Sequence, residues 1–129
     1  MILPSLYVGD SIDRGRGIFC SEPIASGTII ENSPVIVLKQ EERLMLDQTL
    51  LHDYIFLWGS DEKECCLALG YLSLYNHDYR SNAEYVMDFS GRTIRITAVR
   101  NIKKNEEIFI NYNGNWNDPK PVWFHRDRG

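Results

Sequence analysis

The sequence predicts a mostly-β domain with a little helix, a β+α arrangement. Three observations carry this. Short runs of β-branched and aromatic residues recur along the chain. Turn signals separate them at short intervals. Strands do not alternate regularly with long helical patterns, so a βαβ parallel sheet is not indicated. At 129 residues the chain reads as one domain, residues 1–129, with its motifs between about 6 and 123.

In order, Leu6-Tyr7-Val8 is a first short strand, and Asp10-Ser11-Ile12-Asp13 turns into Arg14-Gly15-Arg16-Gly17. Ile18-Phe19-Cys20 is a second strand, and Pro23 to Gly27 a turn, with Gly27 able to take a positive φ. Thr28 to Leu38 is rich in β-branched residues and interrupted by Pro34. Lys39 to Leu51 is the helical candidate: Leu44, Leu46, Leu50 and Leu51 follow the acidic pair Glu41-Glu42 at roughly helical spacing. Asp53 to Trp58 is apolar and aromatic and ends at Gly59, while Cys65 to Leu69 is apolar but too short to assign. Glu84–Phe89 and Thr93–Val99 form a hairpin across Ser90-Gly91. Lys103-Lys104-Asn105 is a turn, and Ile108 to Ile110 the last strand. Beyond it lie a loop and an aromatic tail with Trp116, Trp123 and Phe124.

Hydrophobic residues make up 43% of the chain and charged residues 25%, ordinary values for a soluble globular protein. No apolar run approaches the ~20 residues of a membrane span, and the N-terminus lacks the pattern of a signal peptide. The three cysteines, two of them adjacent, make a poor disulfide framework and a poor metal set. They fit small buried side chains in a reducing intracellular compartment, the cytoplasm or nucleus or a host cell interior. The net charge of −4 argues against direct nucleic-acid binding and is compatible with a basic peptide partner.

Three stretches could carry chemistry. Gly15-Arg16-Gly17 is either a plain turn or a place where a ligand approaches the backbone closely. Asn76-His77 is either an Asx-type turn or a ligand-reading pair. Tyr112, at a strand end, is either a packed aromatic or a reactive hydroxyl. The seven Tyr, five Phe and three Trp either fill a small β core or wall a slot for a lysine stem and its cationic head. No Ser-His or Cys-His triad and no zinc-ligand spacing is present.

Taken together and in this order, the stretches resemble the SET-domain family of S-adenosylmethionine-dependent protein lysine methyltransferases. The Gly-x-Gly start matches Gly15 to Phe19. The family's Asn-His-Ser with a following Pro-Asn matches, in part, Asn76-His77 and Asn82. Its closing Gly-Glu-Glu-apolar-Tyr string matches Asn105 to Tyr112. The chain is most similar to the small single-domain SET enzymes of large viruses and some microbes. The resemblance implies several small curved sheets with a threaded C-terminal segment. It implies that the backbone of Gly15, Arg16 and Gly17, together with Asn76, His77 and Trp116, binds S-adenosylmethionine. It implies Tyr112 as the catalytic tyrosine, with Tyr54, Tyr85 and Ile110 around the substrate lysine. The expected partner is a lysine-bearing protein, a histone tail first. No metal and no membrane are expected, and a homodimer stays open.

The match has departures. Asp78 stands where the family has Ser, the Cys after it is absent, and Ser73 replaces a frequent Arg. No zinc-binding module flanks the motifs on either side. Ile110 takes the place of an aromatic residue that sets product state in relatives, so addition of more than one methyl is expected. Two other readings remain: a catalytically silent SET-like module that binds peptide or cofactor, and a small β domain used for assembly. Methylation of a non-histone protein is a variant of the first reading.

Overall fold

The structure, a computed structural model, describes residues 1–12 and 14–112. Strands dominate, as the sequence predicts: β1 (Leu6–Ser11), β2 (Gly15–Cys20), β3 (Ile29–Leu38), β4 (Phe56–Trp58), β5 (Glu64–Ala68), β6 (Asn76–His77), β7 (Ala83–Asp88), β8 (Thr93–Ala98) and β9 (Glu107–Ile110). They form a four-stranded sheet in the order β1-β2-β9-β6 and a five-stranded sheet in the order β4-β5-β3-β8-β7.

The β1–β2 hairpin is longer than the sequence suggests. Arg16 pairs with Asp10 and Gly17 with Gly9, so Gly15-Arg16-Gly17 is strand and not turn. Glycine disguises strand in a local reading because it lacks the β-branched bulk that marks one. Only Gly15 takes a positive φ, 70°, where the hairpin turns.

β3 is the middle strand of the larger sheet. It pairs with β8 from Ile29 to Pro34 and with β5 from Val35 to Leu38. Pro34 sits at the handover between the two partners, where a residue without an N–H is tolerated. Its carbonyl still accepts from Leu69 N at 3.2 Å. The β7–β8 hairpin closes the far edge, and Arg92 at φ 53° and the Gly91 N–H bond to Asp88 shape its turn. Asn105, at φ 64°, makes the turn into β9.

The helix is shorter than the leucine spacing suggests. α1 runs only from Gln40 to Leu46 and buries no residue, and a separate 3₁₀ turn spans Leu50–Asp53. Thr49 separates them: it is extended, and its hydroxyl accepts from Leu51 N at 3.2 Å. That cap starts a new turn and ends the old one.

The core lies where the sheets meet. Ile18, Ile30, Ile94, Ile96, Ile108 and Ile110 are fully buried there with Leu72 and Tyr75. Each such isoleucine contributes about 2–3 kcal/mol of transfer free energy. Cys20, Cys65 and Cys66 are buried free thiols, and burial pushes the Cys66 thiol up to about 12. Among the described residues one acidic side chain, Glu31, is fully buried. The Glu31 carboxylate accepts from Tyr75 Oη and Ser33 Oγ, each at 2.7 Å, and from Tyr71 N at 3.0 Å.

β9 arrives last and slots between β2, antiparallel, and β6, parallel. The 78–82 loop then lies across it. Asn82 donates from Nδ2 to Glu107 O and accepts at Oδ1 from Phe109 N, both at 2.8 Å, as a neighbouring strand would. Asn111 Nδ2 donates to Tyr79 O at 3.2 Å. The closing strand is thus threaded beneath the loop that precedes the β7–β8 hairpin.

Candidate functional site

The same insertion of β9 builds the site. Asn76 lies opposite Phe109 and His77 opposite Ile110 in the parallel pair. The middle and final motifs, far apart in sequence, therefore share one ladder, with β2 on the other side of β9.

Asn76 is 3% exposed and its amide is held on one side. Nδ2 donates to Arg16 O at 3.1 Å and to Glu107 Oε2 at 2.9 Å. Glu107 Oε1 accepts from Ser11 Oγ at 2.6 Å. Gly17 lies against this cluster: a Cβ there would collide with the Glu107 carboxylate and stand 2.8 Å from Asn76 Nδ2. Close approach is what makes glycine necessary at this position. Beside the cluster opens a cleft of about 220 Å³ lined by Gly15, Arg16, Asn76 and Tyr54, with Asp10 and Arg14 at hand.

Tyr112 is held at three points. Its hydroxyl donates to Tyr75 O at 2.7 Å, and its N–H donates to His77 Nδ1 at 3.1 Å. Its carbonyl accepts from Tyr85 Oη at 3.0 Å. Because His77 Nδ1 accepts, the neutral ring carries its proton on Nε2. The His77 ring lies 5.1 Å from the Tyr112 ring, centroid to centroid, and 4.4 Å edge-on from Tyr79. Burial pushes the Tyr85 phenol up to about 12. Burial, with the Glu31 carboxylate beside it, holds the Tyr75 phenol well above its usual value. Both remain neutral donors at physiological pH.

The expected site residues divide into two groups. Gly15, Arg16 and Asn76 meet at the cleft, with Gly17 packed behind Asn76. His77, Tyr85 and Tyr112 meet one register step further along β6 and β9. Tyr54 lines the cleft with Gly15 and Asn76. Ile110 has no exposed surface and packs in the core. The alternation of β9 turns it inward with Ile108. Trp116, expected over the cofactor, lies outside the described residues, as do Trp123 and Phe124.

Nothing in the sequence singles out Glu107, Ser11 or Glu31 as site residues. The two glutamates look like ordinary strand charges, and only the fold shows what they hold. Nor does the sequence show that the carbonyl of Tyr75, next to Asn76, receives the Tyr112 hydroxyl. Among the described residues no group of three or more His, Cys, Asp or Glu could hold a metal ion.

The arrangement offers a polar cleft with a fixed amide and, separately along β6 and β9, a pair of oxygens, Tyr112 Oη and Tyr75 O. Such oxygens can surround an electropositive centre without taking a proton from it.

Comparison with known proteins gives the same picture. The SET domain profile matches residues 15–113. A Schizosaccharomyces pombe protein named "Histone-lysine N-methyltransferase, H3 lysine-37 specific" is 36% identical over 113 residues, covering 87% of this chain and 76% of that protein. A solved structure from Plasmodium falciparum, provisionally assigned as a histone methyltransferase, superposes with a TM-score of 0.67 at 31% identity, covering 89% of this chain and 98% of that one. Polycomb Repressive Complex 2 from Chaetomium thermophilum, a humanised mutant, matches at TM-score 0.70 over 88% of this chain but only 15% of its own, and at 20% identity that likeness concerns the fold alone.

Proposed function

The chain belongs to the SET-domain family, and we propose that it is a protein-lysine N-methyltransferase. It transfers methyl from S-adenosylmethionine to the ε-amine of a lysine in a basic protein segment, a histone tail. The observation that carries this reading is the convergence of Asn76-His77 and Tyr112 through the β6–β9 pairing. Identity of 36% to a histone-lysine methyltransferase over most of both chains supports the activity and the substrate class.

The cleft suits the amino-acid part of the proposed methyl donor. Its wall offers main-chain groups of Gly15 and Arg16 and the Asn76 amide, a polar set suited to an amino-acid moiety. Bound there, S-adenosylmethionine supplies a sulfonium-activated methyl. His77 stands next to Asn76, one step further along β6.

A free lysine has a pKa of about 10.4, so only about one in 10³ is neutral near pH 7.4. A site that desolvates the amine beside a cation favours the neutral form. The protein then needs positioning and correctly placed oxygens more than a base. Tyr112 Oη and Tyr75 O, 2.7 Å apart, supply two. The Tyr112 hydroxyl has its hydrogen committed to Tyr75, so its oxygen can act toward a ligand only as an acceptor. Tyr85 and Tyr54 contribute aromatic walls around the lysine and the cofactor cleft. Net charge −4 suits a cationic tail and does not require contact with nucleic acid. Work on histones implies a nuclear site of action.

The direct test is calorimetric titration with S-adenosylmethionine, followed by incubation with core histones and donor. Cofactor binding with methyl incorporation into a lysine supports the reading. Absence of both refutes it.

A further inference from the structure

Asn76 has two amide hydrogens, and both meet groups that can only accept: a peptide carbonyl at Arg16 and a carboxylate at Glu107. That fixes the orientation of the amide on chemical grounds. With both N–H bonds engaged, the group that Asn76 can offer a ligand in the adjoining cleft is its carbonyl oxygen, an acceptor. Glu107 is itself held by the hydroxyl of Ser11, which is 8% exposed, through the opposite carboxylate oxygen. Gly17 leaves room for the cluster to close.

We propose that Glu107 is a positioning residue: by accepting from Asn76 Nδ2, it locks the amide oxygen toward the cleft and so makes that cleft selective for a cationic ammonium group on the methyl donor. The inference rests on the methyltransferase reading above. Without a carboxylate at this position only the Arg16 carbonyl holds the amide against rotation. A glutamine there can donate to the Asn76 oxygen, which turns an –NH₂ group toward the ligand and opposes a cation. The isosteric change Glu107→Gln therefore acts on one ligand group and leaves the shape of the cleft alone.

The test uses the full chain and two probes, S-adenosylmethionine and the analogue whose α-ammonium is replaced by hydrogen. Affinities are measured by calorimetry for the wild type, Glu107→Gln, Asn76→Ala and the double variant. A hydrogen bond to a charged group sets the expected loss for Glu107→Gln with S-adenosylmethionine at about tenfold or more, with under about twofold for the analogue. In the double variant the glutamine adds no further loss to that of Asn76→Ala, because Glu107 acts through Asn76. Equal losses for both ligands, or full additivity with Asn76→Ala, overturn the proposal while leaving the methyltransferase reading intact. Failure of the wild type to bind either probe removes both. Should Glu107→Gln not fold, Ser11→Ala, which loosens the far side of the carboxylate, takes its place. Its expected effect is about threefold on S-adenosylmethionine alone, and an equal effect on both ligands counts against the proposal.

Discussion

The hydroxyl of Tyr112 donates to the main-chain carbonyl of Tyr75 at 2.7 Å, across a separation of 37 residues. The Tyr75 side chain is anchored in turn: it is fully buried, and its own hydroxyl ends on the buried Glu31 carboxylate at 2.7 Å. A path of packed groups therefore runs from β3, through the residue before β6, to the tyrosine after β9. Tyr112 is placed by the core and not by its own loop.

Glu31→Ala tests that path. The change leaves the Tyr75 hydroxyl, the Ser33 hydroxyl and the Tyr71 N–H short of their acceptor. Each unsatisfied buried donor costs about 1–3 kcal/mol, so urea unfolding should show a loss of about 3 kcal/mol or more. A loss under about 1 kcal/mol would mean that water replaces the carboxylate without cost.

Gly17→Ala forces a methyl group into the Glu107 carboxylate and against Asn76 Nδ2. The expected result is a loss of stability of about 1–3 kcal/mol, with weaker binding of S-adenosylmethionine. The same change at Gly27, whose Cβ would meet nothing within 4 Å but whose φ is +87°, strains the backbone alone and leaves cofactor affinity unchanged. Calorimetry on the two variants separates the effects.

Alkali should destabilise the fold. The Tyr85 phenol and the Cys66 thiol are both pushed up to about 12 by burial. In the unfolded chain these groups ionise near their ordinary values, about 10 and about 8.5. The unfolded state thus releases protons first as pH rises, and stability falls as each unfolded group ionises until the folded pKa is passed. Denaturant midpoints should hold below about pH 8 and decline from about pH 9 to 12. Cys66→Ala should flatten the lower part of that decline, and an unchanged profile in this variant would assign it to other groups.

Ile110 is fully buried at a position that, in the family the chain resembles, tunes how many methyls are added. We expect more than one methyl on the target lysine, because isoleucine is smaller than the aromatic alternative and has no hydroxyl to hold the amine in one pose. Long incubation with excess donor, read by mass spectrometry, checks this. A product that stops at monomethyl-lysine contradicts it.

Much of the fold is legible in the sequence because its signals are local. The β7–β8 hairpin, the positive-φ turn at Asn105 and the apolar strand before Tyr112 each show in a few consecutive residues. β6 does not: it is two residues long and exists only because β9 pairs with it. The first two residues of β2 beyond the hairpin turn, Arg16 and Gly17, lack any strand signature. Asn76, His77 and Tyr112 can be nominated from their motifs. Glu107 and Glu31 cannot, since a glutamate in a strand looks exposed until the topology supplies Asn76 and Tyr75 as partners.

The measurement closest to the central claim compares wild type and Tyr112→Phe in methyl transfer to core histones, with S-adenosylmethionine as donor and intact-protein and peptide mass spectrometry as readout. The change removes only the hydroxyl that meets Tyr75 O. The account predicts methyl increments on a histone lysine with the wild type, and a rate at least about 10²-fold lower with the variant, while cofactor affinity stays within about twofold. A wild type that binds S-adenosylmethionine but methylates nothing would point to a silent SET module. Equal rates for the two proteins would contradict the role given to Tyr112.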